Sequence, residues 1–149
     1  MDVDRCYFDT SYLVRFYLRD AGFDAVRQLA ASVLPASARH GRLEVVAALH
    51  RALREGRIKQ DGLRQALEQF EQECRSGALH WLILTEAVFS RAERILTEAP
   101  ATTFLRAADA LHLGCAAENG FTEIYSHDRH LLAAASLFGL RGVNVILSP

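Results

Sequence analysis

The sequence predicts an α/β fold in which helices cover both faces of a short parallel sheet. Short apolar segments of strand length alternate with helical patterns along the 149 residues, and these segments are too apolar to leave one face in water. Half of the residues are hydrophobic, which is enough to build one sizeable core. We therefore predict a three-layer α/β/α arrangement in which residues 1–149 form a single domain.

The first third of the chain is predicted to hold one clear strand and two helices. Residues 5–9 are apolar enough for a short buried strand, and Thr10 or Ser11 can cap the helix that follows. Residues 23–33 carry apolar side chains at helical spacing and are predicted as a second helix that leads into a brief strand. Residues 35–41 are predicted as an irregular segment.

Two consecutive amphipathic helices are predicted next. Residues 43–54 form the first, and Gly56 ends it. Residues 63–74 form the second, because their apolar side chains follow at spacings of four, three and four. The two helices are expected to pair as a protruding hairpin.

The second half of the chain alternates between strands and helices. Residues 79–84 are predicted as a strand, after which Thr85 caps a helix that runs to about residue 97. Thr103 is predicted to cap a strongly apolar helix that ends at residue 117. The remaining predicted elements are a strand at 123–126, a helix at 129–138 and a strand at 143–147.

Four acidic residues lie where a carboxylate is costly: Asp9, Glu44, Asp109 and Asp128 each border or interrupt an apolar segment. Asp9 and Asp128 follow predicted strands, so both should lie at the edge where parallel sheets form their sites. Glu44 and Asp109 lie near helix starts that could face the same edge. Four carboxylates there would favour a hard divalent cation and metal-dependent phosphate chemistry.

Composition sets limits on the partners and on the cell compartment. The net charge of −1 excludes a global basic field, so nucleic acid would need a local patch, although 16 of the 17 basic residues are Arg. Three widely separated cysteines show no zinc spacing and indicate free thiols in a reducing compartment. Without a signal peptide or a bilayer-spanning apolar run, the chain is predicted to be cytoplasmic and not membrane-bound.

Four short motifs in this sequence together resemble those of a known family. They are Phe8-Asp9-Thr10-Ser11-Tyr12-Leu13-Val14, Leu43-Glu44-Val45, Ala107-Ala108-Asp109-Ala110-Leu111-His112-Leu113 and Ser126-His127-Asp128-Arg129-His130-Leu131. This set is similar to the successive motifs of PIN-domain ribonucleases, with the closest match in the VapC-like toxin branch, over residues 7–146. One departure is Ser126, where the family often has Thr, and the hydroxyl is kept.

The resemblance implies a metal-dependent endoribonuclease that is the toxin of a type II toxin–antitoxin pair. Mg²⁺ or Mn²⁺ would be held by the four acids, with RNA as substrate. Thr10, Ser11 and Ser126 would hydrogen-bond the carboxylates or a metal-bound water. The family also implies a small antitoxin partner and a homodimer, with the helical hairpin as a candidate contact surface.

Simpler interpretations stay open at each position. Asp9 could merely end a strand or cap a helix, although Thr10 and Ser11 already offer caps. Asp128 could cap a helix, Glu44 could complement a helix dipole, and Asp109 could pair with Arg106 or His112. His112 is interpreted as a structural hydrogen bonder rather than a metal ligand. Two rival functions also remain: a haloacid-dehalogenase-type phosphatase, disfavoured because Ser11 replaces the second Asp of its D-x-D motif, and a catalytically silent PIN-like module that binds RNA or protein.

Overall fold

A five-stranded parallel sheet runs through the centre of the computed structural model, which describes residues 3–146. Its strands, in chain order, are β1 Arg5–Phe8, β2 Leu34–Ala38, β3 His80–Leu82, β4 Glu123–Tyr125 and β5 Arg141–Val143. Their order across the sheet is β3-β2-β1-β4-β5, and every neighbouring pair is parallel. The predicted parallel sheet is confirmed.

Helices cover both faces of this sheet, as the sequence predicted. They are α1 Thr10–Leu13, α2 Phe23–Ala30, α3 His40–Arg54, α4 Gln60–Ser76, α5 Glu86–Glu98, α6 Ala107–Glu118 and α7 Arg129–Ala134, with 3-10 turns at Val14–Phe16 and Ala135–Phe138. Tyr7 packs with α5, α6 and α7, whereas its neighbour Phe8 packs with α1 to α4 on the opposite face. Helices α3 and α4 pair as the expected hairpin. No helix within residues 3–146 has the length and apolarity to cross a bilayer.

The prediction of an irregular segment at 35–41 is wrong, because β2 occupies most of it and α3 already begins at His40. Pro35 disfavoured a strand in the sequence, since proline cannot donate to a sheet ladder. In the structure the preceding Leu34 N–H donates to Asp4 O on the β1 side. The Pro35 nitrogen therefore faces the β3 side, where pairing starts only at Ala36, and no sheet hydrogen bond is lost.

Three other predicted boundaries are corrected. The second helix ends at Ala30 rather than residue 33, because β2 must begin at Leu34. Arg106, not Thr103, is the N-cap of α6, and no side-chain hydrogen bond caps that end. The last strand is Arg141–Val143, earlier than predicted, and residue 147 of the predicted strand lies outside the described range. Thr85 does cap α5, through a hydrogen bond from Val88 N–H.

Sheet order fixes where a site can form. The chain continues from β1 to β2 on one side, whereas β4 lies on the other side of β1. The connections that leave β1 and β4 therefore diverge at the carboxyl edge, which opens a crevice between them. Asp9 follows β1 there, and its N–H still donates to Tyr125 O at the end of β4 (3.0 Å).

Candidate metal centre

Asp9 lies at the base of this crevice and is 4% exposed. It is the N-cap of α1, where its Oδ1 accepts from Tyr12 N–H, so the predicted cap at Thr10 or Ser11 is wrong. The Ser11 hydroxyl donates to Oδ1 (2.5 Å) and the Ser126 hydroxyl to Oδ2 (2.6 Å). Burial raises the pKa of Asp9, and the His112 charge and these two hydroxyls oppose that rise. Both hydroxyls hold the carboxylate in one orientation.

Glu44 is held by a buried hydrogen-bond chain that starts in the sheet. Tyr7 OH accepts from Ala38 N–H (3.0 Å) and is hydrogen-bonded to His112 Nδ1 (2.7 Å). His112 Nε2 donates to Glu44 Oε1 (2.6 Å), which also accepts from the Thr10 hydroxyl (2.8 Å). Burial alone would raise the pKa of Glu44, but the hydrogen bonds and the charge of His112 outweigh it and lower the pKa. The interpretation of His112 as a structural hydrogen bonder agrees with these contacts.

His40 is a site residue that the sequence reasoning missed. Its ring lies 4.2 Å from the His112 ring, centroid to centroid, and its Nε2 donates to Ala108 O (2.9 Å). Ligand atoms of His40, Glu44 and His112 lie within 4.8 Å of one another, a grouping that could hold a metal ion. In the observed arrangement, however, both Nε2 atoms donate to oxygen: His112 supports Glu44 directly, whereas His40 donates to Ala108 O and its Nε2 lies 3.6 Å from Glu44 Oε1. The i, i+4 spacing of His40 and Glu44 on α3 was the available signal.

Asp109 lies in the first turn of α6, and its side chain is 19% exposed. Its pKa is raised to about 6, first by burial and then by the negative charge of Asp128, with further contributions from Asp9 and Glu44. The Arg106 guanidinium balances little of this charge, because its Nε is 4.0 Å from Asp109 Oδ2. The pKa of Asp109 thus reports that the four carboxylates share one edge of the sheet.

Asp128 caps α7, as the simpler interpretation allowed. Its Oδ1 accepts from His130 N–H (2.8 Å) and Leu131 N–H (3.3 Å). Its own N–H donates to the Ser126 hydroxyl (2.9 Å), which also donates to Asp9. Ser126 therefore links two of the four acids, and the cap orients Asp128 while leaving Oδ2 outside the capping bonds.

The donor set fits a hard divalent cation. Carboxylate oxygens are the ligands that Mg²⁺ and Mn²⁺ prefer, and the repulsion that raises the Asp109 pKa would be relieved by a bound cation. Arg15 does not neutralise the cluster by direct pairing, because it is 8% exposed and donates to Ser11 O and Ala21 O. Assignment of the four acids as metal ligands stays a prediction.

The raised pKa of Asp109 predicts a pH-dependent stability. Its folded pKa of about 6 lies above the ordinary 3.8, so its contribution is fully present below pH 4 and is lost as pH rises through 6. The pKa values of His40 and Glu44 are lowered, so their contributions to stability change with pH in the opposite direction. The pH dependence of wild-type stability therefore does not isolate the contribution of Asp109. We expect Asp109→Asn to gain on the order of 1–2 kcal/mol relative to wild type between pH 4 and 7, measured by urea unfolding with chelator present. A pH-independent difference would contradict this.

A doubly wound parallel sheet with four carboxylates at its topological switch point defines a class of α/β protein with a candidate divalent-metal centre. Within that class, the family model of the PIN domain matches residues 6–137, so this chain belongs to the PIN domain family. The resemblance seen in the sequence is therefore confirmed. A search of the curated proteins finds no match.

Two solved structures are similar in fold. The Mycobacterium tuberculosis toxin VapC20, described as sarcin-ricin loop cleaving, has a TM-score of 0.69 and 19% identity, with 87% of this chain and 94% of that chain covered. VapBC2 from Rickettsia felis, solved with a DNA fragment from its promoter, has a TM-score of 0.64 and 12% identity, with 94% and 98% covered. At these identities the likeness establishes the fold, which this chain shares with VapC toxins.

Proposed function

We propose that this protein is a metal-dependent endoribonuclease and that Asp9, Glu44, Asp109 and Asp128 hold its Mg²⁺ or Mn²⁺. The observation that carries the proposal is the gathering of carboxylates at the carboxyl edge of the sheet, where Ser126 links Asp9 and Asp128 by hydrogen bonds and all three other acids add to the raised pKa of Asp109. Like charges are kept together against repulsion when a cation binds between them. Membership of the PIN domain family supports the nuclease assignment over other metal chemistry.

A divalent cation in this cluster would supply an activated water for phosphodiester hydrolysis and neutralise charge on the scissile phosphate. The chain's own contribution is preorganisation of the ligands. Ser11 and Ser126 fix the two oxygens of Asp9, while Thr10 and His112 fix Glu44 Oε1. Carboxylates held in this way need no reorientation when the cation and the substrate bind.

The toxin assignment and its partners are part of the same proposal. One similar structure is a toxin and the other is VapBC2, which supports a small antitoxin partner for this chain. The α3–α4 hairpin is the proposed contact for the antitoxin or for a second protomer. It buries Leu49 and Phe70 in the core and leaves Leu43 71% exposed and Val46 38% exposed on α3.

Metal removal should abolish cleavage. We expect purified, antitoxin-free protein to lose RNA cleavage in excess chelator and to regain it with Mg²⁺ or Mn²⁺, because the carboxylates alone cannot activate water near neutral pH. Cleavage of a labelled RNA at graded metal concentrations measures this. Activity that survives exhaustive chelation would contradict the metal role, and the absence of cleavage at any metal concentration would favour the silent binding module.

A further inference from the structure

An exposed aromatic pair lies beside the acidic crevice and is not used by the mechanism above. Phe104 is 58% exposed, and its ring centroid lies 4.4 Å from that of His130, with the planes inclined by 45°. Single exposed apolar residues are common on protein surfaces and need no explanation. This one differs because a second ring packs against it at a tilted angle and because both rings belong to segments that carry acids of the site.

Local contacts fix the pair next to the candidate metal centre. His130 is two residues after Asp128, and its N–H donates to the Asp128 carboxylate. Phe104 is two residues before Arg106, the N-cap of the helix that carries Asp109. The two rings therefore belong to the segments that lead into Asp109 and follow Asp128.

Space and charge around the pair suit a nucleotide. A cavity of about 330 Å³ opens beside the rings, lined by Thr102, Thr103, Phe104, His130, Ala133 and Leu137. Two exposed arginines are close to the rings along the chain: Arg106, whose side chain is 74% exposed, follows Phe104 by two residues, and Arg129 directly precedes His130. Guanidinium groups bind phosphates, and flat aromatic rings stack on unpaired bases, so the two chemistries together match single-stranded RNA.

We propose that Phe104 and His130 form a stacking subsite for an unpaired base of the RNA substrate, next to the phosphate that is cut. The identity of the ligand rests on the proposed nuclease function. The subsite prefers single-stranded RNA, because a base in a duplex is already stacked and is not free to cover the rings. Stacking tolerates any base, so the subsite selects unpaired structure rather than sequence.

The test measures, by fluorescence anisotropy, the binding of two labelled oligoribonucleotides of equal charge. One is a mixed-sequence RNA of about 12 nucleotides, and the other is its abasic counterpart. All proteins carry Asp109→Asn to prevent cleavage. Phe104→Ala is expected to weaken binding of the base-containing RNA by about 5-fold or more and to leave the abasic RNA unchanged. Phe104→Trp should restore the affinity for the base-containing RNA.

Leu96→Ala is the control, because Leu96 is a partly exposed apolar residue near the carboxyl end of α5. If Phe104→Ala binds each RNA as tightly as the parent protein does, the proposed subsite is overturned. An equal loss for the two RNAs also overturns it, since that loss would not depend on bases. Failure of the nuclease proposal is recognised separately, as a lack of cleavage by protein with intact Asp109.

Discussion

Replacing Asp109 by Asn is expected to slow metal-dependent RNA cleavage by about 100-fold or more. The side chain keeps its shape but loses the charge that the cation requires, and Asp109 is the acid whose pKa depends on the three others. Initial rates on a labelled RNA, at a metal concentration that saturates the wild type, measure the effect. An apparent affinity for Mn²⁺ that falls in parallel would identify the lost group as a ligand.

Asp24→Asn is the matched control for this variant. Asp24 also lies in the first turn of a helix, α2, but it is exposed and is not among the groups that shift the Asp109 pKa. It should cleave RNA at the wild-type rate. Since Asp109→Asn relieves repulsion, the metal-free variant should unfold at an equal or higher temperature than wild type. A variant that loses activity because it has lost its fold would therefore be recognised at once.

Replacing His112 by Ala is expected to lower the free energy of unfolding by about 3 kcal/mol. His112 is 1% exposed and lies between Tyr7 OH and Glu44 Oε1, so its removal leaves a cavity and two polar groups without their partner. Urea unfolding followed by circular dichroism measures the change. Cleavage should also fall about 10-fold or more, because Glu44 loses the donor that orients it.

His50→Ala provides the comparison, since His50 is an exposed residue of α3, the helix that carries Glu44. Its removal should change the free energy of unfolding by less than about 0.5 kcal/mol. If His112→Ala proved as mild as His50→Ala, the buried chain from Tyr7 to Glu44 could not be what holds the site together. Tyr7→Phe should be intermediate, because it keeps the ring and removes only the hydroxyl.

Helices and strands with a clear hydrophobic pattern were predicted from the sequence. Features that depend on a proline in a strand or on the choice of a capping residue were not. The periodic helix at 43–54 and the apolar strand at 79–84 correspond to α3 and β3. Only a brief strand was predicted where β2 lies, and its extent to Ala38 was missed, because proline argues against a strand until the register shows that its missing N–H has no partner to lose. Asp9 was open as a cap but Thr10 and Ser11 were preferred, because all three are good capping residues by type.

For the candidate site, residue type and place along the chain indicated the four acids, whereas their supports came only from the structure. The sequence placed Asp9 and Asp128 at strand ends, and a shared edge follows from parallel pairing. It could not find the chain from Tyr7 through His112 to Glu44, whose members are 105 and 68 residues apart. It also could not show that Arg15 is committed to backbone carbonyls while Arg106 stays exposed.

The sequence by itself determined the layered α/β class and the family resemblance and singled out the four acids as candidates, because these depend on local period and residue type. Only the tertiary structure decided the strand order, the raised pKa of Asp109, and the pairing of Phe104 with His130. The physical reason is that burial and charge–charge repulsion depend on distances between segments that are remote in the chain. Asp109 has an ordinary side chain in the sequence and acquires its raised pKa only when the fold buries it and brings three other carboxylates near it.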